Sequence, residues 1–295
     1  ALVDQVYRPR DKVGNALVLT SDGWLATTST GMPSESGKEL VVITSDNKLL
    51  PIEKIVFDST AQVVFIKVKA DNLKVVKFSE ESNIYPGSQA ILISQTLEGE
   101  LAQSLISTID QVRFRKINGF ADHFQSTEKF GTFVTIKDKA VDSFSGSPLV
   151  DMEGGIVGLY LSGGMIIPSY HFSDAFSSFL RYGSIERPFV GINYIDLSRT
   201  IGLPSSINEN LQTGALVFGD RDHNIVAVEP QSPAEKANIK LGDIIIKVND
   251  DTVDSRHSLT EIIQQYKIGD VVNLTVQNNG VVREVEMAIT SNIEE

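Results

Sequence analysis

The chain has 295 residues, 41% of them apolar, no cysteine, and a formal net charge of −12 at pH 7. That length suffices for two ordinary domains with real cores, and the charge repels a polyanion over most of the surface, which argues against nucleic acid as a partner. Without cysteine there is no disulfide, no cysteine-ligated metal and no thiol nucleophile.

In chain order, residues 1–185 read as short strands separated by turn signals. Val13–Thr20 runs into a Ser21-Asp22-Gly23 turn and then Trp24–Thr28. Glu39–Thr44 precedes a second turn at Ser45–Lys48; Gln62–Val68 is rich in β-branched residues; Pro86-Gly87 opens Ala90–Ser94. Evenly spaced short strands with Gly, Asn and Asp turns predict a barrel or sandwich. One helix is expected near Ser173–Arg181, where Ala175, Phe176, Phe179 and Leu180 follow helical spacing and Gly183 stops it. Tyr182–Pro188 reads as the linker to a second domain, 186–295. There, strands are expected near Phe189–Tyr194, Ile225–Glu229, Ile244–Val248, Val271–Gln277 and Val281–Ala288, the last two joined through Asn278-Asn279-Gly280. Leu259, Ile262, Ile263 and Tyr266 share one helix face, and Ser258 with Glu261 fits a capping box. A shorter helix follows Ser232-Pro233. The apolar runs Ala90–Ile93 and Ile244–Ile246 are strand-sized, well short of the ~20 residues of a membrane span. The start, Ala1-Leu2-Val3-Asp4, shows no signal peptide and is compatible with an anchoring segment removed upstream.

Several stretches, in order and spacing, resemble the HtrA/Deg family, a trypsin-like serine protease domain followed by a PDZ domain. They are Leu19–Thr27, Asp58–Val68, Ser145-Gly146-Ser147-Pro148-Leu149-Val150 with Gly154–Gly158, Gly164–Ser169, and Ser232–Ala237 with Leu241–Ile245. The resemblance implies a mostly β chain: a trypsin-like double β-barrel over 1–185, then a PDZ domain, a small β-barrel with two helices, over 186–295. It implies Ser145 as the nucleophile. The position of the catalytic histidine falls on Thr30, that of the aspartate on Gln62, and the oxyanion-hole glycine on Ser143. Thr30 is no base at neutral pH, and Gln62 carries no charge to stabilise an imidazolium. Ser143 in a glycine conformation would be strained. Phe144 replaces a small polar residue and could fill the substrate cleft. Ser145 therefore reads as a remnant nucleophile, and the chain as no enzyme but an inactive serine protease homologue, a pseudoprotease.

The four histidines, His123, His171, His223 and His257, read as surface or partly buried residues, and Lys137 and Lys139 as unburied. Asp220–Asn224 is a polar turn rather than a metal loop. No metal and no cofactor are expected.

In the second domain the resemblance places peptide binding on Phe189-Val190-Gly191-Ile192, whose backbone N–H groups would hold a terminal carboxylate. Ile192 and Tyr194 would face the groove, with Leu259, Ile262 or Ile263 opposite; core packing is the rival reading of these apolar residues. The expected partners are peptides or protein C-termini, and active HtrA-type relatives that the chain would regulate, scaffold or serve as a chaperone-like holder. Family members trimerise through a segment ahead of the first barrel strand. That segment is nearly absent here, so a homo-oligomer is not assured by these residues. The expected location is the cell envelope. Two rivals follow: a serine endopeptidase using Ser145 with an unconventional base, and a structural subunit whose PDZ groove is closed.

Overall fold

A computed structural model describes residues 7, 11–32, 40–80, 83–95, 103–114, 123–138, 140 and 144–292. The chain divides into two units, Ala1–Phe114 with Thr132–Phe176, and Arg115–Gly131 with Ser177–Glu295. Residues 123–131 and 177–185, which a reading by chain order leaves with the first domain, thus belong to the second unit.

The first unit begins with β1 (Leu17–Val18), β2 (Trp24–Thr28), β3 (Val41–Ile43), β4 (Leu49–Asp58) and β5 (Val63–Val68), a five-stranded sheet in the order β1-β2-β5-β4-β3. Strand β5 is the spine. Its β-branched and aromatic side chains are buried almost throughout, as a strand with neighbours on both edges requires. Leu25, Val64, Ile66 and Val68 form its core. On the other face, Phe65 and Trp24 pack against Phe176 with ring centroids 4.8 and 6.0 Å apart. Next come β6 (Gln89–Ser94), β7 (Gln103–Phe114), β9 (Thr132–Ile136), β10 (Pro148–Asp151), β11 (Ile156–Ser162) and β12 (Met165–Pro168), which close a barrel in the order β10-β11-β12-β9-β7-β6. Leu92, Ile109, Val134, Leu149, Tyr160 and Ile166 fill it. Gly158 lies where a Cβ would meet the Ile167 carbonyl oxygen at 2.1 Å, so β11 and β12 can pair this closely only without a side chain there. Helix α1 (Ser173–Tyr182) starts in this unit and passes at Ser177 into the second, where Gly183 ends it at φ +84° with its N–H on the Phe179 carbonyl.

The second unit carries β8 (Phe124–Ser126), β13 (Arg187–Phe189), β14 (Asn193–Asp196), β15 (Ala215–Val217), β16 (Ile244–Val248), β17 (Asp251–Thr252), β18 (Val271–Asn278), β19 (Val281–Ala288) and β20 (Thr290–Asn292). Its main sheet runs β19-β18-β16-β15-β14-β8, with β17 on β16; β13 pairs β20. The Asn278–Gly280 turn joins β18 and β19 in an eight-pair ladder, as its sequence predicts. Helices α2 (Ser205–Asn208), α3 (Pro233–Lys236) and α4 (Leu259–Ile263) are short. Both halves of the capping box form at α4: Ser258 accepts from the Glu261 N–H, and Glu261 from the Ser258 N–H.

Two expected strands differ. Phe189–Tyr194 is interrupted because Gly191 adopts φ +77°, which splits it into β13 and β14. Ile225–Glu229 makes only isolated bridges, Asp220↔Ile225 and Ile192↔Val228. No helix among the described residues is long and apolar enough to cross a membrane.

Candidate active site and peptide groove

Ser145 sits in the tight turn that leads into β10. The turn is held from both sides. The Gly146 N–H donates to the Tyr160 carbonyl, and the Ser145 carbonyl accepts from the Asn15 N–H at 2.7 Å and from Asn15 Nδ2 at 3.2 Å. Gly146 has φ +77°, and a Cβ there would lie 2.0 Å from the Asn15 carbonyl oxygen, so glycine is obligatory. Thr27 Oγ1 donates to the same Asn15 carbonyl. Ser147 is fully buried, and its hydroxyl has no hydrogen-bond partner among the described residues.

Ser145 is 5% exposed. Its Oγ lies 2.6 Å from Thr30 Oγ1, 3.1 Å from the Leu161 carbonyl oxygen and 3.4 Å from Thr28 Oγ1. Thr30 Oγ1 also reaches the Leu161 oxygen at 3.1 Å and Thr28 Oγ1 at 3.1 Å. The sequence position assigned to the histidine therefore does meet the nucleophile position, through a hydroxyl. Thr30 is carried by a single 3-10 turn, Ser29–Gly31, and is itself exposed. Gln62 lies beside that turn, its carbonyl accepting from the Ser29 N–H at 3.0 Å, with its own backbone at φ +59°. Asp58, four residues earlier, is buried and accepts from the Ala61 N–H. Ser143 and Lys139 lie outside the described residues. Phe144 is corrected: it is buried in the barrel core beside Leu92, Val134 and Leu149 instead of filling a cleft. Thr28 and Leu161 were missed, because neither a threonine at a strand end nor a carbonyl at the end of β11 carries a local signal.

Of the other candidate bases, Lys137 is exposed. His171 is buried, its ring edge-on to Tyr170. In the second unit His123 Nδ1 is 3.0 Å from Thr200 Oγ1, His223 Nδ1 2.7 Å from Asp220, and His257 Nδ1 3.7 Å from Asp254.

In the second unit Val190, Ile192, Tyr194, Leu259, Ile262 and Ile263 all lie in one buried core. Tyr194 turns its hydroxyl to Thr260 Oγ1 at 2.9 Å, and burial pushes its phenol pKa up. Phe189 pairs with Thr290 in β13 and is half-buried. The backbone of Val190–Ile192 does the polar work. The Val190 and Gly191 N–H groups both donate to one carboxylate oxygen, Glu128 Oε1, at 3.2 and 3.0 Å. Two hydroxyls complete that carboxylate's shell, Thr127 Oγ1 at 2.7 Å and Ser126 Oγ at 3.0 Å. Beside it, Thr127 N–H donates to the Ile192 carbonyl at 3.0 Å, and Ile192 N–H to Thr127 Oγ1 at 3.1 Å. Strand β8 then continues antiparallel along β14, Ser126 opposite Asn193 and Phe124 opposite Ile195. From α4, Thr260 Oγ1 donates to the Ser126 carbonyl at 2.8 Å; just past its end, Gln264 Nε2 donates to the Thr127 carbonyl at 2.9 Å. Burial, and then the charge of Glu128, push the Glu229 carboxyl above its usual pKa.

These features define a class. A trypsin-like peptidase family model matches residues 13–159 and a PDZ family model residues 189–289. The chain belongs to the HtrA/Deg family, trypsin-like peptidase domains joined to a PDZ domain. It is 27% identical over 279 residues to "Serine protease Do-like HtrB" of Bacillus subtilis, covering 88% of this chain and 58% of that protein. To the "Probable periplasmic serine endoprotease DegP-like" of Halomonas elongata it is 24% identical, over 95% of this chain and 56% of that one. The chain thus spans a little over half the length of these relatives. The solved structure "HtrA-type protease AlgW with decapeptide" shares the fold, with TM-score 0.71, 16% identity and coverage of 96% of this chain and 84% of that one.

These relatives are named as serine proteases, and that overturns the sequence expectation of no enzyme. That expectation rested on Thr30 and Gln62. Their side chains remove an imidazole mechanism from its usual place; they do not remove the serine.

Proposed function

We propose that the chain is a serine endopeptidase of HtrA type that uses Ser145 with an unconventional base, and that its PDZ loop Val190–Ile192 receives the terminal carboxylate of a peptide or protein. The observation that carries the first part is the 2.6 Å contact between Ser145 Oγ and the hydroxyl of Thr30, an exposed residue. A serine becomes a useful nucleophile when its proton has somewhere to go. Here the Ser145 proton passes to Thr30 Oγ1 as the Thr30 proton leaves to solvent hydroxide. The re-protonated Thr30 hydroxyl then donates to the Ser145 alkoxide. The alkoxide attacks the scissile carbonyl carbon, the C–N bond of the tetrahedral adduct breaks, and the departing amine takes a proton from water. A second water hydrolyses the acyl ester. Such a relay lacks a positioned imidazole, so turnover falls about 10⁴–10⁶-fold below that of a complete triad.

The second part is supported by the two convergent N–H groups at Val190 and Gly191, the arrangement that captures a carboxylate at the end of an added strand. An extracytoplasmic location and partners with accessible C-termini, held or regulated through this groove, go with this reading.

The test is casein and peptide hydrolysis by the full chain beside Ser145→Ala, Thr30→Ala and Thr30→Ser. Ser145→Ala and Thr30→Ala are expected at background and Thr30→Ser near wild type. Without a titrating imidazole, log kcat/KM rises about one unit per pH unit through neutrality and does not level near pH 7. Wild-type hydrolysis equal to that of Ser145→Ala refutes the reading.

A further inference from the structure

We infer that Phe124–Glu128 is an internal ligand of the PDZ groove, with the Glu128 carboxylate seated where the terminal carboxylate of a bound peptide would sit, so that a peptide binds only by displacing it. The inference rests on the reading of Val190–Ile192 as a carboxylate-binding loop. All the residues involved lie in the second unit.

Four observations converge. The Val190 and Gly191 N–H groups of the loop are spent on a single oxygen of Glu128, and the Ile192 N–H on Thr127 Oγ1. The backbone behind it adds to β14 as an antiparallel strand, with Thr127 exchanging hydrogen bonds with Ile192 on the way. The helix side of the groove is engaged too, because Thr260 and Gln264 donate to the Ser126 and Thr127 carbonyls. Apolar anchors flank the segment: Phe124 packs into the cluster of Ile195, Leu216 and Phe218, and Phe130 lies under the Arg187 guanidinium, 5.4 Å from the ring centroid. These are the components of strand-addition recognition, carboxylate, ladder and side-chain pockets, supplied in cis. A side-chain carboxylate replaces a main-chain one because the chain continues past this point into β9 and has no terminus to offer.

The ladder has one more consequence. A free edge of β14 would expose unpaired N–H and C=O groups, and β8 covers it. An external peptide must supply the same pairings and a carboxylate better than Glu128. Its apparent affinity is its intrinsic affinity scaled by the fraction of molecules in which the segment is out of the groove.

The experiment uses the full chain. A bead library of decapeptides, randomised at the last four residues, is screened with free and with amidated C-termini against wild type, Glu128→Ala and Thr127→Pro. Thr127→Pro removes the N–H that donates to Ile192. Amide exchange at Thr127 is followed in parallel. The expected results are slow Thr127 exchange in wild type without peptide, and release of that protection by a selected peptide. Binding should be at least about tenfold tighter in Glu128→Ala and confined to free carboxylates. Free-chain exchange at Thr127 in the wild type overturns the inference, as does binding to Glu128→Ala no tighter than to wild type. Absence of binding to every variant, Thr127→Pro included, overturns the peptide-recognition reading itself and the displacement with it.

Discussion

Replacing Gly191 by alanine should unfold the second unit's core locally while leaving the Ser145 region intact. Gly191 has φ +77°, and a Cβ built there lies 2.4 Å from Ser232 Cβ, 2.9 Å from Ser232 Oγ and 3.2 Å from Glu229 Cβ. Ser232 cannot give way, because it is fully buried and its hydroxyl caps α3 by accepting from the Glu235 N–H. The left-handed backbone costs a non-glycine residue about 1–2 kcal/mol. Overpacking against a fixed neighbour adds about 1–3 kcal/mol. The stiffer unfolded chain returns roughly 0.4–1 kcal/mol. The net is about 1–4.5 kcal/mol, or on the order of 10 °C in the melting of a unit of this size. The only tryptophan, Trp24, belongs to the first unit and reports it separately. The assay is thermal melting followed by far-ultraviolet circular dichroism and by Trp24 fluorescence. A fall in the dichroism transition of the second unit with Trp24 unmoved is expected. A shift below about 3 °C would show that the loop relaxes around a Cβ, and the steric argument for Gly191 would be wrong.

Three further expectations follow from the structure. Phe144→Ala empties a buried aromatic site in the barrel and should cost about 3–5 kcal/mol in urea unfolding; a loss below 1 kcal/mol would mean that Phe144 is not a core residue. The double substitution Thr30→His with Gln62→Asp should raise Ser145-dependent casein cleavage by at least about 10²-fold, since it restores a base and its partner, and Asp accepts the positive φ of position 62. No gain, with Ser145→Ala as the blank, would place the obstacle in the loop before Ser145. Asp243 is a case of opposed effects: burial pushes its pKa up, but Arg283 at 2.6 Å, Asn278 at 2.7 Å and the Lys240 N–H outweigh it and hold it below the usual value. A depressed folded pKa contributes stability that is present above the unfolded value, about pH 4, and is lost as pH falls through the folded one. Asp243→Asn should therefore be less stable than wild type at pH 7 by a gap that closes below about pH 4 in denaturant titrations. A gap independent of pH would show that the carboxylate charge is not what matters.

What the sequence determined is local, and it determined it well where one short stretch carries the whole physical cause. Ser258 and Glu261 announce a helix start because both halves of the capping box lie within one turn. Asn278-Asn279-Gly280 sets the β18–β19 register because the hairpin turn and its strands are contiguous. Gly183 stops α1 for the same reason. The order of the Ser145, Pro233 and Leu241–Ile245 motifs gave the two-domain architecture. Thr30, assigned to the histidine position only through a resemblance, meets Ser145 across a separation of 115 positions in the chain.

Tertiary structure decided the rest. Phe144, at the loop expected to line a cleft, is drawn into the barrel core because the turn is clamped by Asn15, which is far away in sequence. For Val190, Ile192, Tyr194, Leu259, Ile262 and Ile263 tertiary structure decided for core packing, the rival of the groove-lining reading, and it set the Val190 and Gly191 N–H groups on the Glu128 carboxylate. Glu128 carries no motif. Its partners lie 62 and 63 residues along the chain, and a carboxylate among hydroxyls reads like any surface loop until a second segment folds two N–H groups onto it. Periodicity can state which residues want to be buried; only the folded chain settles which distant backbone groups they leave to be satisfied.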